Sequence, residues 1–205
     1  MSHAPGREET VAEALALHDR YQQDVVERLG ICPWARKARF EGRTRTHVIL
    51  DPSAEASVLD AVLEAWVADG TVEVGFVILP RFRDGFSALE RWGDALSERT
   101  ASAFFAAAFH PDAPADAGPV RFFRQSPHPT VQLVRRTRLE EVRAQDPCHY
   151  ADIFTLTLED LRGSGPRKTA AAAVLDHNRR LLEQQGRDEL LALFPRAPGT
   201  PEPKP

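Results

Sequence analysis

The chain has 205 residues, 42% hydrophobic and 27% charged, with a formal net charge of -4. That balance fits one globular domain with frayed ends and excludes a strongly basic nucleic-acid binder or an acidic solvating tail. No apolar run approaches the roughly 20 residues that span a bilayer.

The opening residues hold His3, Arg7, Glu8 and Glu9 and lack the apolar stretch of a secretion signal. There are only two cysteines, Cys32 and Cys148, and a chain of this length needs no disulfide staple. The expected setting is a cytoplasm that keeps both thiols reduced, with no nucleic-acid or membrane partner.

Residues 1–9 read as a tail. Thr10 and Glu13 have capping-box spacing, and Val11, Leu15, Val25 and Leu29 then fall near one helical face. Gly30 reads as the stop after that helix. Pro33 suits the first turn of a second short helix, which puts Cys32 at or beside its N-cap.

From Thr46 the pattern becomes strand, helix, strand, helix, strand. Residues 47–50 form a short apolar strand, and Asp51-Pro52 reads as a cap with a first-turn proline. Val58, Val62 and Trp66 stack at helical spacing beside Leu59, Leu63 and Val67, and Gly70 ends the helix. Residues 72–79 are nearly all apolar, as in a strand buried on both faces. Asp84 can cap a helix with Phe86, Leu89, Trp92 and Leu96 inward, and residues 103–109 make a third strand. Each connection is long enough for a right-handed crossover.

Residues 110–130 are rich in Pro, Asp, Ala and Gly, with one candidate strand at 120–123; long connections inside compact domains are functional or disordered. Residues 131–135 alternate like a strand, and 138–145 read as helix. Residues 152–158 fit helix or strand. Residues 169–185 and 187–194 read as helices, and 195–205, with five prolines, as a tail. The expectation is one α/β domain over residues 10–194, with a mixed, mainly parallel sheet of about four or five strands covered by helices.

If the three strands are parallel, their C-terminal ends open on one edge, where such folds bind ligands. Asp51, Arg81, Arg83 and His110 leave those ends, beside two helix N-termini. That edge favours a small anionic molecule; the alternative is that Arg81 and Arg83 are solvated turn residues. A thiol at a helix start near Arg36, Lys37 and Arg39 gains thiolate character, and thiolate is nucleophile and metal ligand alike. The alternative is a cysteine that simply packs. Cys148 reads as a resolving thiol or as incidental. His110, directly after a buried strand, suits a general base, an acid or a ligand. His128 sits between two prolines, as in a stiff binding loop or an ordinary turn. His18, His47 and His177 fall inside elements, where structural or surface roles are expected. Metal-ligand spacing is poor, so a metal or haem at Cys32 and His110 is a minority reading.

Three segments together resemble a known family: Leu29-Gly30-Ile31-Cys32-Pro33-Trp34-Ala35, then Ala108-Phe109-His110-Pro111-Asp112, then Ser126-Pro127-His128-Pro129 running on to Leu133 and Arg135. They look like the bacterial domain-of-unknown-function family 1415, in order and separation, from about Tyr21 to Leu182. The resemblance carries over Cys32, Pro33, His110, Pro111, Ser126, Pro127, Pro129 and Arg135, and Asn178 corresponds to a late Arg-Asn of the pattern. The chain departs from the pattern at Arg124-Gln125, at His128 and at Gln132. The family brings no activity with it.

The expected site therefore joins Cys32, His110 and His128 as catalytic groups. Arg81, Arg83, Arg124, Ser126, Arg135 and Asn178 would hold the ligand. The first functional reading is an enzyme on a small anionic molecule. Its rivals are a binding or sensing module for a metal, haem or small metabolite, and an interaction protein with a packed Cys-Pro segment.

Overall fold

The computed structural model describes residues 6–32, 35–114, 119–144 and 170–197. The first helix, α1 (Arg7–Tyr21), has Gly6 at its N-cap and Glu8 and Glu9 in its first turn, where carboxylates complement the positive end of the helix dipole. It opens three residues ahead of Thr10, whose hydroxyl donates back to the Gly6 carbonyl instead of capping. The coil widens into a π-helical stretch, Gln22–Glu27. It ends in a Schellman turn: Gly30 N–H reaches the Glu27 carbonyl and Ile31 N–H the Val26 carbonyl, with Gly30 at φ 64°. Glycine tolerates that φ because it has no Cβ, so the stop expected at Gly30 is in place. After the turn comes α2 (Ala35–Phe40), whose first N–H bonds the Cys32 carbonyl at 3.2 Å.

Four strands follow: β1 (Thr44–Val48), β2 (Val74–Ile78), β3 (Phe104–Phe109) and β4 (Thr130–Arg135). The helix α3 (Ala56–Ala68) joins the first two, and α4 (Phe86–Arg99) joins the second and third. Spatial order is β1-β2-β4-β3, with β1 and β2 parallel and β4 antiparallel to both its neighbours. The sheet is mixed, but one parallel pair stands against two antiparallel ones, which corrects the expectation of a mainly parallel sheet. The first three strands do run the same way. β4 returns between β2 and β3, so the two do not pair.

Residues 120–123 are also corrected. They fall in a helical turn, α5 (Pro119–Phe122), and the turn residue Phe123 after it, and Phe122 and Phe123 bury together against Tyr21, Val25 and Phe194 instead of alternating across a sheet. Among the described residues three more helices follow: α6 (Arg136–Ala144), α7 (Ala170–Gln185) and α8 (Arg187–Leu193). Residues 152–158 lie outside the described residues, as does Cys148.

The pleat sorts the strands into two faces. Val77, Phe104, Ala108, Val131 and Leu133 face one way, against Leu59, Leu63 and Trp66 of α3 and Leu89 and Leu96 of α4. Val58 and Val67, expected to pack, are exposed. Trp66 lies over Gly75 so closely that an added Cβ would sit 2.4 Å from its ring. On the other face, Phe76, Thr46, Ala107 and Gln132 look toward α1, the π-helical stretch, α2 and α7.

Candidate functional site

The second face does not close completely. Between it and the helices lies a cavity of about 510 Å³, of the size that holds small organic ligands. Its floor is the sheet: Thr44, Thr46, Val74, Phe76, Ala107, Phe109, Gln132 and Val134. Its roof is His18, Gln22, Ile31, Cys32 and Ala35, and α7 closes one side with Val174, Leu175 and Asn178. A recess of about 80 Å³ shares Cys32, His18, Phe76 and Gln132 with it and adds Tyr21, Ser126 and Thr130.

Three polar atoms around this space are buried and, among the described residues, make no hydrogen bond: His18 Nε2, Tyr21 Oη and Asn178 Oδ1. Their residues are 3%, 2% and 6% exposed. An unsatisfied buried polar group costs about 1–3 kcal/mol, and native folds tolerate few. All three belong to residues that border the cavity or its recess.

Local sequence explains their placement. Ala14, His18, Tyr21 and Val25 continue one buried stripe from α1 into the π-helical stretch. Such π segments are rare and often occur at functional sites. His18 meets the edge of the Phe76 ring, with centroids 4.6 Å apart. Burial, with some help from His128, lowers its pKa to about 4, so the imidazole is neutral at physiological pH. Burial likewise pushes the Tyr21 phenol well above its ordinary value, leaving it protonated. Asn178 is oriented by its neighbour: His177 Nε2 bonds the Leu29 carbonyl at 2.7 Å, pinning α7 to the Schellman turn just ahead of Cys32.

Of the residues singled out from the sequence, Cys32, Arg124, Ser126 and Asn178 border this space. Arg124 sits at its edge, where burial lowers its pKa and Glu90 lies 3.9 Å away. The Ser126 hydroxyl donates to the His128 carbonyl at 2.7 Å. The His128 carbonyl also accepts from Thr130, its ring is half-buried, and burial lowers its pKa. His128 is not among the residues lining the cavity.

The others lie elsewhere. His110 continues the parity of Ala108, on the α3/α4 side of the sheet. Its Nδ1 accepts from Asp112 N–H at 3.0 Å, which puts the ring proton on Nε2, 3.1 Å from the Asp84 carbonyl ahead of α4. Both ring nitrogens are engaged in holding the loop, and burial lowers the pKa. Phe109 borders the cavity, whereas His110 is not among the residues that line it. Arg135 is engaged at the end of α3. Its guanidinium donates to the carbonyls of Val72, Trp66 and Asp69 at 2.7–2.8 Å and stacks over Phe104, clamping the end of α3. Arg81 and Arg83 are exposed in the turn after β2 and line no described cavity.

At the strand ends the segment before β4 packs against the strands, with His110 N–H bonded to the Arg124 carbonyl and Leu79 N–H to the Pro129 carbonyl. The basic residues after Cys32 are also occupied. Arg39 makes a two-pronged ion pair with Glu27 at 2.6 and 2.8 Å, and Lys37 lies 4.0 Å from Glu41. Among the described residues, no three His, Cys, Asp or Glu side chains are grouped to hold a metal ion, and no helix is long and apolar enough to cross a membrane.

Residues 13–171 match the model of a family described as protein of unknown function (DUF1415). The chain belongs to this family. No curated protein and no solved structure matches it significantly. Within this DUF1415 protein, the motif carrying Cys32 and the one carrying Ser126 both reach the cavity, while the Phe109-His110-Pro111 motif contributes only Phe109.

His18 and Tyr21 escaped the sequence reading. A histidine inside a helix reads as surface or packing unless the buried stripe is placed first. Their spacing with Ala14 and Val25 was the available signal.

Proposed function

We propose that this protein binds a small organic molecule in the cavity between the sheet and α1, with Cys32 as part of the wall. The observation that carries this reading is the group of unpartnered buried polar atoms, His18 Nε2, Tyr21 Oη and Asn178 Oδ1, around one ligand-sized apolar space. An apolar pocket with a few convergent polar groups is the usual form of a small-molecule site.

Binding is favoured over nucleophilic catalysis by the histidines. Burial lowers the His18 pKa to about 4, far below neutral, so its imidazole takes up a proton reluctantly. His18 is therefore suited to hydrogen bonding, and a poor base for Cys32. His110 has no lone pair to offer, because Nδ1 already accepts from Asp112.

The test uses Nile red, a neutral dye that fluoresces when it leaves water. The full chain should show saturable, one-to-one enhancement. Ala107→Trp fills the floor of the cavity and should abolish it while the protein stays folded by circular dichroism. Undiminished binding in that variant would remove this site as the place of binding.

A further inference from the structure

The cavity also carries information about the class of molecule it takes. Among the described residues its acidic and basic lining balances: Asp19 and Glu27 are set against Arg39 and Arg124. Arg39 is already taken by Glu27, with both guanidinium–carboxylate bonds made. Arg124 stands at the margin, shared with the groove beside Glu90. Among the described residues no charged group borders the recess, where His18, Tyr21, Ser126, Thr130 and Gln132 offer neutral donors and acceptors. A carboxylate or phosphate placed there would lose its water without gaining a cation, a costly transfer.

The walls are aromatic. Phe76, Phe109 and Phe123 border both the main cavity and the recess, and Phe105 borders the main cavity. Ring faces and edges favour flat partners stacked or set edge-on. The unmade hydrogen bonds belong to residues that border that same space: an amide oxygen of Asn178, a neutral imidazole nitrogen of His18 and a phenol of Tyr21.

We propose that the cavity takes a neutral, planar aromatic or heteroaromatic molecule with hydrogen-bond donors and acceptors along one edge. This rests on the small-molecule reading above and replaces the anionic ligand expected from the sequence. The ring lies among the phenylalanines, a ligand N–H or O–H donates to Asn178 Oδ1, and the polar edge points toward His18 and Tyr21.

Four simple probes separate the alternatives on the full-length protein by NMR titration. Benzamide is planar, neutral and carries both donor and acceptor; benzoate is its anionic shape-match; toluene lacks the polar edge; cyclohexanecarboxamide lacks planarity. Benzamide should bind at least about tenfold tighter than each of the other three, because each omits one of the matched features. In Asn178→Leu, benzamide's advantage over toluene should shrink to near parity. Benzoate binding as well as benzamide would overturn neutrality, and cyclohexanecarboxamide binding as well would overturn planarity. Both results leave Nile red binding intact, so they refute the ligand class and not the site. If all four probes fail while Nile red binds, the ligand class is wrong; if Nile red fails too, the site is.

Discussion

Replacing His18 with leucine turns its buried imidazole into a measurable difference. The folded protein keeps His18 neutral down to about pH 4, whereas the unfolded chain takes up that proton near 6.5. Between those values the unfolded state binds more protons, so stability falls as pH drops through the window. From about pH 7.5 to about pH 5, this one residue removes about 2 kcal/mol, rising to about 3 kcal/mol once the pH is below both values. His47, His110 and His128 also have lowered values and push the same way, but they do so in both proteins. The difference between wild type and His18→Leu therefore reads His18 together with its repulsion from His128. Leucine leaves no orphaned nitrogen, so near neutral pH the variant should be as stable as the wild type or up to about 1 kcal/mol more stable. At about pH 5 its advantage should grow by about 2 kcal/mol. Urea unfolding followed by circular dichroism at the two pH values reads both numbers. Identical pH slopes would refute the burial argument. A variant weaker by more than about 2 kcal/mol at neutral pH would show that His18 holds the fold together instead.

Arg135→Met should cost about 2–3 kcal/mol in urea unfolding, because three carbonyls at the end of α3 lose a charged donor, while Nile red binding in the folded fraction stays unchanged. A loss of binding with little loss of stability would support the ligand-holding role expected from the sequence. His110→Ala should lower stability by about 1–3 kcal/mol and leave the alkylation rate of Cys32 as it was; a slowed rate would support the pairing expected from the sequence. Gly75→Ala should destabilise by about 1–3 kcal/mol through collision with Trp66, and a neutral effect in thermal melts would contradict that packing.

Much of the fold was legible because it is written in local patterns. The all-apolar run around Val77 became a strand buried on both faces, and the Gly30 stop rests on backbone freedom that sequence displays directly. The position of β4 was not legible: its pairing depends on where a 20-residue connection returns, which no local period records. That return lays Pro129 against Leu79 at the end of β2, and the cavity lies on the face of the sheet. The site was half legible for the same reason. Cys32, Ser126 and Asn178 lie in segments that reach the cavity. His110 does not line it: a residue just past a strand can face either side, and its parity with Ala108 decides. Arg135 looked like a ligand-holding cation, but its partners, three backbone carbonyls, leave no trace in side-chain identity.

The most direct measurement is the alkylation rate of Cys32 by iodoacetamide in a Cys148→Ser background, followed by mass spectrometry with and without saturating Nile red. A molecule seated beneath α1 covers the thiol that borders both the cavity and its recess, so labelling should slow by about tenfold or more, since access governs thiol reactivity. An unchanged rate at saturation would mean that the molecule binds elsewhere and that Cys32 does not border its site.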